Sequence, residues 1–224
     1  MKILAFETST EFCSVALQLE ETVIEKEVHA GQRHSEMLLF MIQEILKEAK
    51  LTLQQIDGIA FGAGPGSFTG LRIACGVAQG LAYTTGISVI KISTLEAVAQ
   101  KIAKQKVIVA LDARMGEIYH AAYQKVANHG WEIVSSPILC LPQQAPTLSD
   151  TNTNWHGCGS GFDVYHEELS SRYRKNLQQI HCDLHPHAKE IAQLALLHPG
   201  TDPANATPIY LRNKVALKEN ERQL

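Results

Sequence analysis

Apolar and polar positions alternate along the first hundred residues in a way that predicts a string of short elements. Residues 2–7 (KILAFE), 13–19 and 22–29 are rich in Ile, Val and Leu, are separated by polar turns, and read as three β-strands. A helix is predicted over 34–50. Leu38, Ile42, Ile45 and Ala49 make one face of it, and Leu39, Phe40 and Leu46 widen that face round the cylinder. A one-sided surface helix needs a narrower stripe, so burial on two sides is predicted, either inside this chain or against another. Residues 56–61 read as a buried strand. GAGPGSFTGLR (62–72) follows and opens a helix to about residue 83, and 88–92 is another strand. Ser93 or Thr94 can cap a helix to about 104, with Glu96 in its first turn. The order β-β-β-α-β-α-β-α predicts an α/β fold whose mixed five-stranded sheet has helices on its faces.

The pattern then restarts. Ile3-Leu4-Ala5-Phe6-Glu7 and Ile108-Val109-Ala110-Leu111-Asp112 are both apolar strands that end in an acid, and strand-like runs follow the second (117–124 and 131–135). The repeat predicts a duplicated unit, divided into 1–104 and 105–224, with a degraded second copy. In that copy 142–160 reads as loop, helical runs return at 162–172 and 187–197, and a charged tail begins at 214.

Composition narrows the picture. The chain has 224 residues, 45% apolar and 19% charged, enough to bury a sizeable core. The net charge of −3 supplies no global field for nucleic acid, so any such contact has to be local or borrowed from a partner. The five cysteines are scattered without a CxxC, against a disulfide framework or a zinc knuckle. MKILAFET carries an acid at position 7 and no long apolar run, so no signal peptide and a cytoplasmic location are expected. The uncharged run 73–90 is rich in Gly, Ala and Thr and is interrupted at Gly86; it reads as helix, turn and strand, not as a membrane span.

The candidate chemistry lies at strand ends. The glycine loop is not a P-loop, since no Lys-Ser/Thr pair follows its last glycine, and it is not a dinucleotide fingerprint. Amides at a helix N-terminus could still hold an anion through Gly64, Gly66, Ser67 and Thr69; the alternative is that the glycines only turn the corner and let the helix pack closely. Glu7 and Asp112 stand at the carboxyl ends of strands, where open α/β sheets place ligands, with Thr8 and Ser9 as further phosphate donors. The competing reading, preferred for Glu7, is a solvated turn acid. The ten histidines are poorly spaced for a metal site, and no GxSxG is present, so no metal ligand set and no nucleophile system is predicted. Gly76-x-x-x-Gly80 on the second helix, beside the broad stripe of the first, suggests a helical subunit interface, with a wholly internal core as the alternative.

FETSTEFCSVAL (6–17), HSEMLL (34–39), GPGSFTGLR (64–72), STLEAVA (93–99), DARMGEIY (112–119) and PIYLRN (208–213) together strongly resemble the TsaB (YeaZ) family over nearly the whole chain. The resemblance implies an actin/Hsp70-like (ribonuclease H-like) fold of two related subdomains. It implies a non-catalytic scaffold or activator of the TsaD-type transferase that makes threonylcarbamoyladenosine at position 37 of ANN-decoding tRNAs. The family's first two helices dimerise with TsaD, a TsaE-type ATPase joins the pair, and the protein self-associates when alone. That assigns His34, Met37, Leu38, Met41, Ile42, Ile45, Leu71, Cys75, Gly76, Ala78 and Gly80 to the interface. tRNA is met only through the complex. No intrinsic cofactor is implied, with ATP or ADP at the surface shared with partner subunits. Thr94 and Val98 stand where the catalytic sister carries the two histidines of its metal-binding helix. Glu7 replaces the Asp that often begins the family's phosphate segment, which argues against tight nucleotide binding. GCGSGFDVY (157–165) resembles the family's second glycine loop, with an inert thiol at Cys158. A nucleotide hydrolase of the actin/Hsp70 type is the alternative, and a glycoprotease-like metallopeptidase the least supported reading.

Overall fold

The computed structural model describes residues 1–102, 104–127, 130–148 and 154–212; the tail expected from 214 lies outside them. The first half forms β1 (Lys2–Glu7), β2 (Phe12–Leu19), β3 (Thr22–His29), α1 (His34–Glu48), β4 (Gly58–Gly64), α2 (Phe68–Thr85), β5 (Ser88–Ser93) and α3 (Thr94–Lys101). The second forms β6 (Lys106–Asp112), β7 (Ile118–Val126), β8 (Gly130–Cys140), β9 (Trp155–Cys158), α4 (Ser160–Val164), α5 (His166–Arg172), β10 (Leu177–His181) and α6 (Ala188–Ala195).

The strand orders are β3-β2-β1-β4-β5 and β10-β9-β6-β7-β8. Counted from the start of each half, both are 3-2-1-4-5, read in opposite directions. β1 pairs antiparallel with β2 and parallel with β4, and β6 likewise with β7 and β9. The duplication inferred from two five-residue strands therefore extends to the whole topology.

Alternation along the central strands divides the core. Leu4 and Phe6 face a layer built with α1 and α2, while Ile3 and Ala5 face Ile191 and Ala192 of α6. On β6, Val107 and Val109 meet Leu95 and Val98 of α3, while Ile108 and Ala110 meet Phe162 and Leu169 of α4 and α5. The halves thus exchange helices: α3, which follows the first sheet, covers the second, and α6 returns to the first. The two touch in the middle layer, where Gln100 donates to Gln193 at 3.1 Å. A cut at 104/105 separates the sheets but not the helices that cover them.

Three expectations change. Residues 155–158, read as loop, are a fully buried strand, whose WHGC carries no alternation because both faces are covered. LQQIH (177–181) is a short polar strand at the sheet edge and was not expected. The single helix expected over 162–172 is two, broken at Tyr165 (φ −118°, ψ 45°). Among the described residues no helix is long and apolar enough to cross a membrane.

Candidate functional site

A cleft of about 1160 Å³ opens between the two halves. Ser9, Thr10, Glu11, Gly66, Ser67 and Thr69 line it from the first half, and Asp112, Arg114, Ser160, Asp163 and Asp183 from the second. Its place, at the carboxyl ends of β1, β4 and β6, follows from the topology.

The glycine loop is held tightly. Ser67 caps α2, its Oγ accepting from Gly70 N at 3.3 Å, and its own amide donates to Ser9 O at 2.9 Å. A Cβ at Gly70 would lie 1.8 Å from Thr8 O, and one at Gly66 2.6 Å from Ser9 Cβ. Thr8 Oγ1 closes the contact by donating to Gly70 O at 2.8 Å. These glycines let the loop lie against the β1–β2 turn, the packing alternative of the two weighed for them. Gly64 and Thr8, expected phosphate donors, are buried away from the cleft; Ser9, Gly66, Ser67 and Thr69 do line it.

Glu7 is not a solvated turn acid. It is buried beneath the turn, and Oε1 accepts from Ser9 N while Oε2 has no hydrogen-bond partner. The carboxyl occupies the space that a side chain at position 62 would take, since a Cβ on Gly62 would lie 1.6 Å from Oε2. Sequence reasoning missed this because an acid at a strand end is usually wet; Gly62, a glycine inside a buried strand, was the available signal. Burial raises the Glu7 pKa from 4.5 to about 7. The folded chain then binds the proton more tightly than the unfolded chain, so Glu7 opposes folding as pH rises from about 4.5 towards 7 and beyond. Glu7→Gln should therefore raise stability at pH 8 by an amount on the order of 3 kcal/mol and leave it nearly unchanged at pH 4. Thermal unfolding at the two pH values checks this; equal effects at both would contradict it.

Asp112 is on the cleft wall but engaged locally. Its carboxylate accepts from Arg114 N at 2.9 Å and from Tyr165 OH at 3.3 Å, and pairs with the Arg114 guanidinium at 3.0 Å. The two strand-end acids thus do not face one another across the cleft. Glu11, Asp112, Asp163 and Asp183 place four carboxylates there against Arg114, an unfavourable setting for a triphosphate without cations. Cys158 is buried, which pushes its thiol pKa up and makes it unreactive.

The expected interface residues divide in two. Leu38, Met41, Ile42 and Ile45 on α1, and Leu71, Cys75 and Ala78 on α2, are buried within this chain, because these helices cover the outer face of the first sheet. His34 is buried too, its Nε2 donating to Phe12 O at 3.1 Å. These eight positions are corrected: they serve the internal core. Met37 is half-buried, and Gly76 and Gly80 are exposed, with open space where each Cβ would stand. The outward apolar surface comprises Leu39 (53% exposed), Phe40 (60%) and Tyr83 (85%), of which Tyr83 was not anticipated.

Thr94 and Val98 are both buried, with Thr94 Oγ1 donating to Pro65 O and Val98 packed in the second half's core. Among the described residues no cluster of three or more His, Cys, Asp or Glu is placed to hold a metal ion.

Twin 3-2-1-4-5 sheets with exchanged helices and a cleft at the strand ends define an α/β protein of the actin/Hsp70-like class. Comparison narrows the class. A family model described as TsaD, tRNA N6-adenosine threonylcarbamoyltransferase, matches residues 19–195. The chain is 38% identical to the tRNA threonylcarbamoyladenosine biosynthesis protein TsaB of Haemophilus influenzae, over 98% of this chain and 97% of that one. It is 35% identical to TsaB of Escherichia coli, over 98% of each. The solved structure of YeaZ from Pseudomonas aeruginosa superimposes with a TM-score of 0.85 at 35% identity, over 94% of this chain and 99% of that one. The chain belongs to the TsaB (YeaZ) family.

Proposed function

We propose that this chain is a non-catalytic subunit of the system that makes threonylcarbamoyladenosine in tRNA, and that it works by docking on a TsaD-type transferase subunit. The end-to-end likeness to TsaB proteins carries the reading. Its physical support is the outward side of α1 and α2. Leu39, Phe40 and Tyr83 leave large apolar surface in water, and Gly76 and Gly80 allow another helix to approach closely. The same surface would join two copies when the partner is absent. The lining of the cleft supports leaving phosphate chemistry to the partners, a TsaE-type ATPase among them, with ATP or ADP at a shared surface. Its five cysteines are free thiols, which suits the cytoplasm, where tRNA is modified.

One observation favours a second reading, a nucleotide hydrolase: the cleft is large enough for a nucleotide. Calorimetric titration of the isolated chain with ATP and with ADP, each with magnesium, separates the two. The proposal expects binding weaker than about 1 mM. Micromolar binding accompanied by phosphate release would bring the hydrolase reading forward.

A further inference from the structure

We propose that one rim of the cleft, formed by the start of α2, the β6–β7 hairpin and the chain after α6, binds an unpaired nucleotide of RNA. The proposal rests on the tRNA-modification reading and names the part of the substrate that this chain would touch. The Arg72 guanidinium stacks 3.8 Å above the Phe68 ring, and its Nε donates to Tyr210 OH at 3.1 Å. The Phe68 and Tyr210 rings lie 5.5 Å apart. Among the described residues no carboxylate pairs with Arg72, and the first turn of α2 carries no acid, so the helix dipole adds to its charge. Across a pocket of about 190 Å³, the hairpin presents Arg114 and Met115. Both have left-handed backbones (φ 62° and 58°), and both side chains point into water, 83% and 65% exposed. Arg212 holds this hairpin to the rim by pairing with Glu117 at 2.7 Å and donating to Ala113 O at 3.0 Å.

The chemistry suits a base and its phosphate. A stacked guanidinium–aromatic pair is a platform that a splayed base can extend. Arg72 and Arg114 flank it to meet the backbone. The Arg114 guanidinium is 83% exposed and already meets an anionic group, the Asp112 carboxylate, at 3.0 Å. Flat rings and planar cations favour a base over an aliphatic peptide. On a chain of net charge −3 this is a local contact of the sort the composition leaves open.

Two measurements test it. In the first, a labelled anticodon stem-loop RNA and a fully paired RNA of the same composition are titrated with the full-length chain at low salt. Arg114→Glu and Tyr210→Ala should each weaken loop binding about tenfold, while the charge-matched control Lys26→Glu, on the far edge strand β3, should not. Paired RNA should bind less tightly and ignore Tyr210→Ala. In the second, the complete modification reaction is run with each variant. Arg114→Glu should raise the KM for tRNA about tenfold and leave kcat unchanged. An unchanged KM with both rim variants would overturn the proposal, as would loop binding that the rim variants do not alter. Loss of partner capture with KM unchanged would assign the rim to an acidic protein segment and also overturn it. A reaction that proceeds without the chain would instead sink the proposed function, a separate outcome.

Discussion

Gly70→Ala should destabilise the fold sharply, by about 3 kcal/mol. The added methyl would stand 1.8 Å from the Thr8 carbonyl oxygen, and the obstacle is backbone, not the end of a mobile side chain. Either α2 moves off the β1–β2 turn or the turn rearranges. Movement of α2 breaks the Thr8–Gly70 hydrogen bond and disturbs Ala74, Cys75 and Ala78 in the core beneath. Overpacking against backbone falls at the upper end of the usual range, about 3 kcal/mol, a large share of the stability of an ordinary domain. Ala is otherwise the better helix former by roughly 1 kcal/mol, so propensity alone predicts the opposite sign. Chemical denaturation decides: a variant as stable as the wild type would show that the close approach is not needed.

The second large effect is a contrast between neighbours on α1. Phe40→Glu should fold normally, because the side chain is 60% exposed and leaves no cavity. It should weaken binding to the TsaD-type partner by 100-fold or more, about 3 kcal/mol, the scale of an aromatic anchor at an interface. Leu38→Glu should fail earlier. Leu38 is fully buried against the first sheet, and a carboxylate there costs several kcal/mol in lost packing and desolvation. Circular dichroism melting and partner titration on both variants separate the roles. A Phe40→Glu protein that still binds its partner fully would relocate the interface.

These two positions also show where the sequence is legible. The breadth of the α1 stripe predicts two covered sides; the structure covers one, through Leu38, Met41, Ile42 and Ile45, and leaves Leu39 and Phe40 exposed, and periodicity does not say which residues face which side. Leu38 and Phe40 look equally apolar in the chain, and only the sheet beneath α1 tells them apart. The repeat was legible because β1 and β6 keep an apolar run ending in an acid, whereas β9 was hidden by its brevity and its glycine. The helix exchange left no mark in the sequence at all: α3 and α6 bury apolar faces whichever sheet they meet, and the choice depends on how the two halves stack. Glu7 was misjudged because its burial depends on a residue more than fifty positions away, Gly62, whose missing side chain makes the room.

The central claim is that this chain enables a transferase without performing the transfer. Reconstitution tests it most directly: the chain is mixed with TsaD-type and TsaE-type proteins, tRNA and a threonylcarbamoyl donor system, and modified adenosine is followed with each protein omitted in turn. The account predicts product that requires this chain, and none when it is the only subunit present. Product formed at the same rate without it, or formed by it alone, would contradict the account.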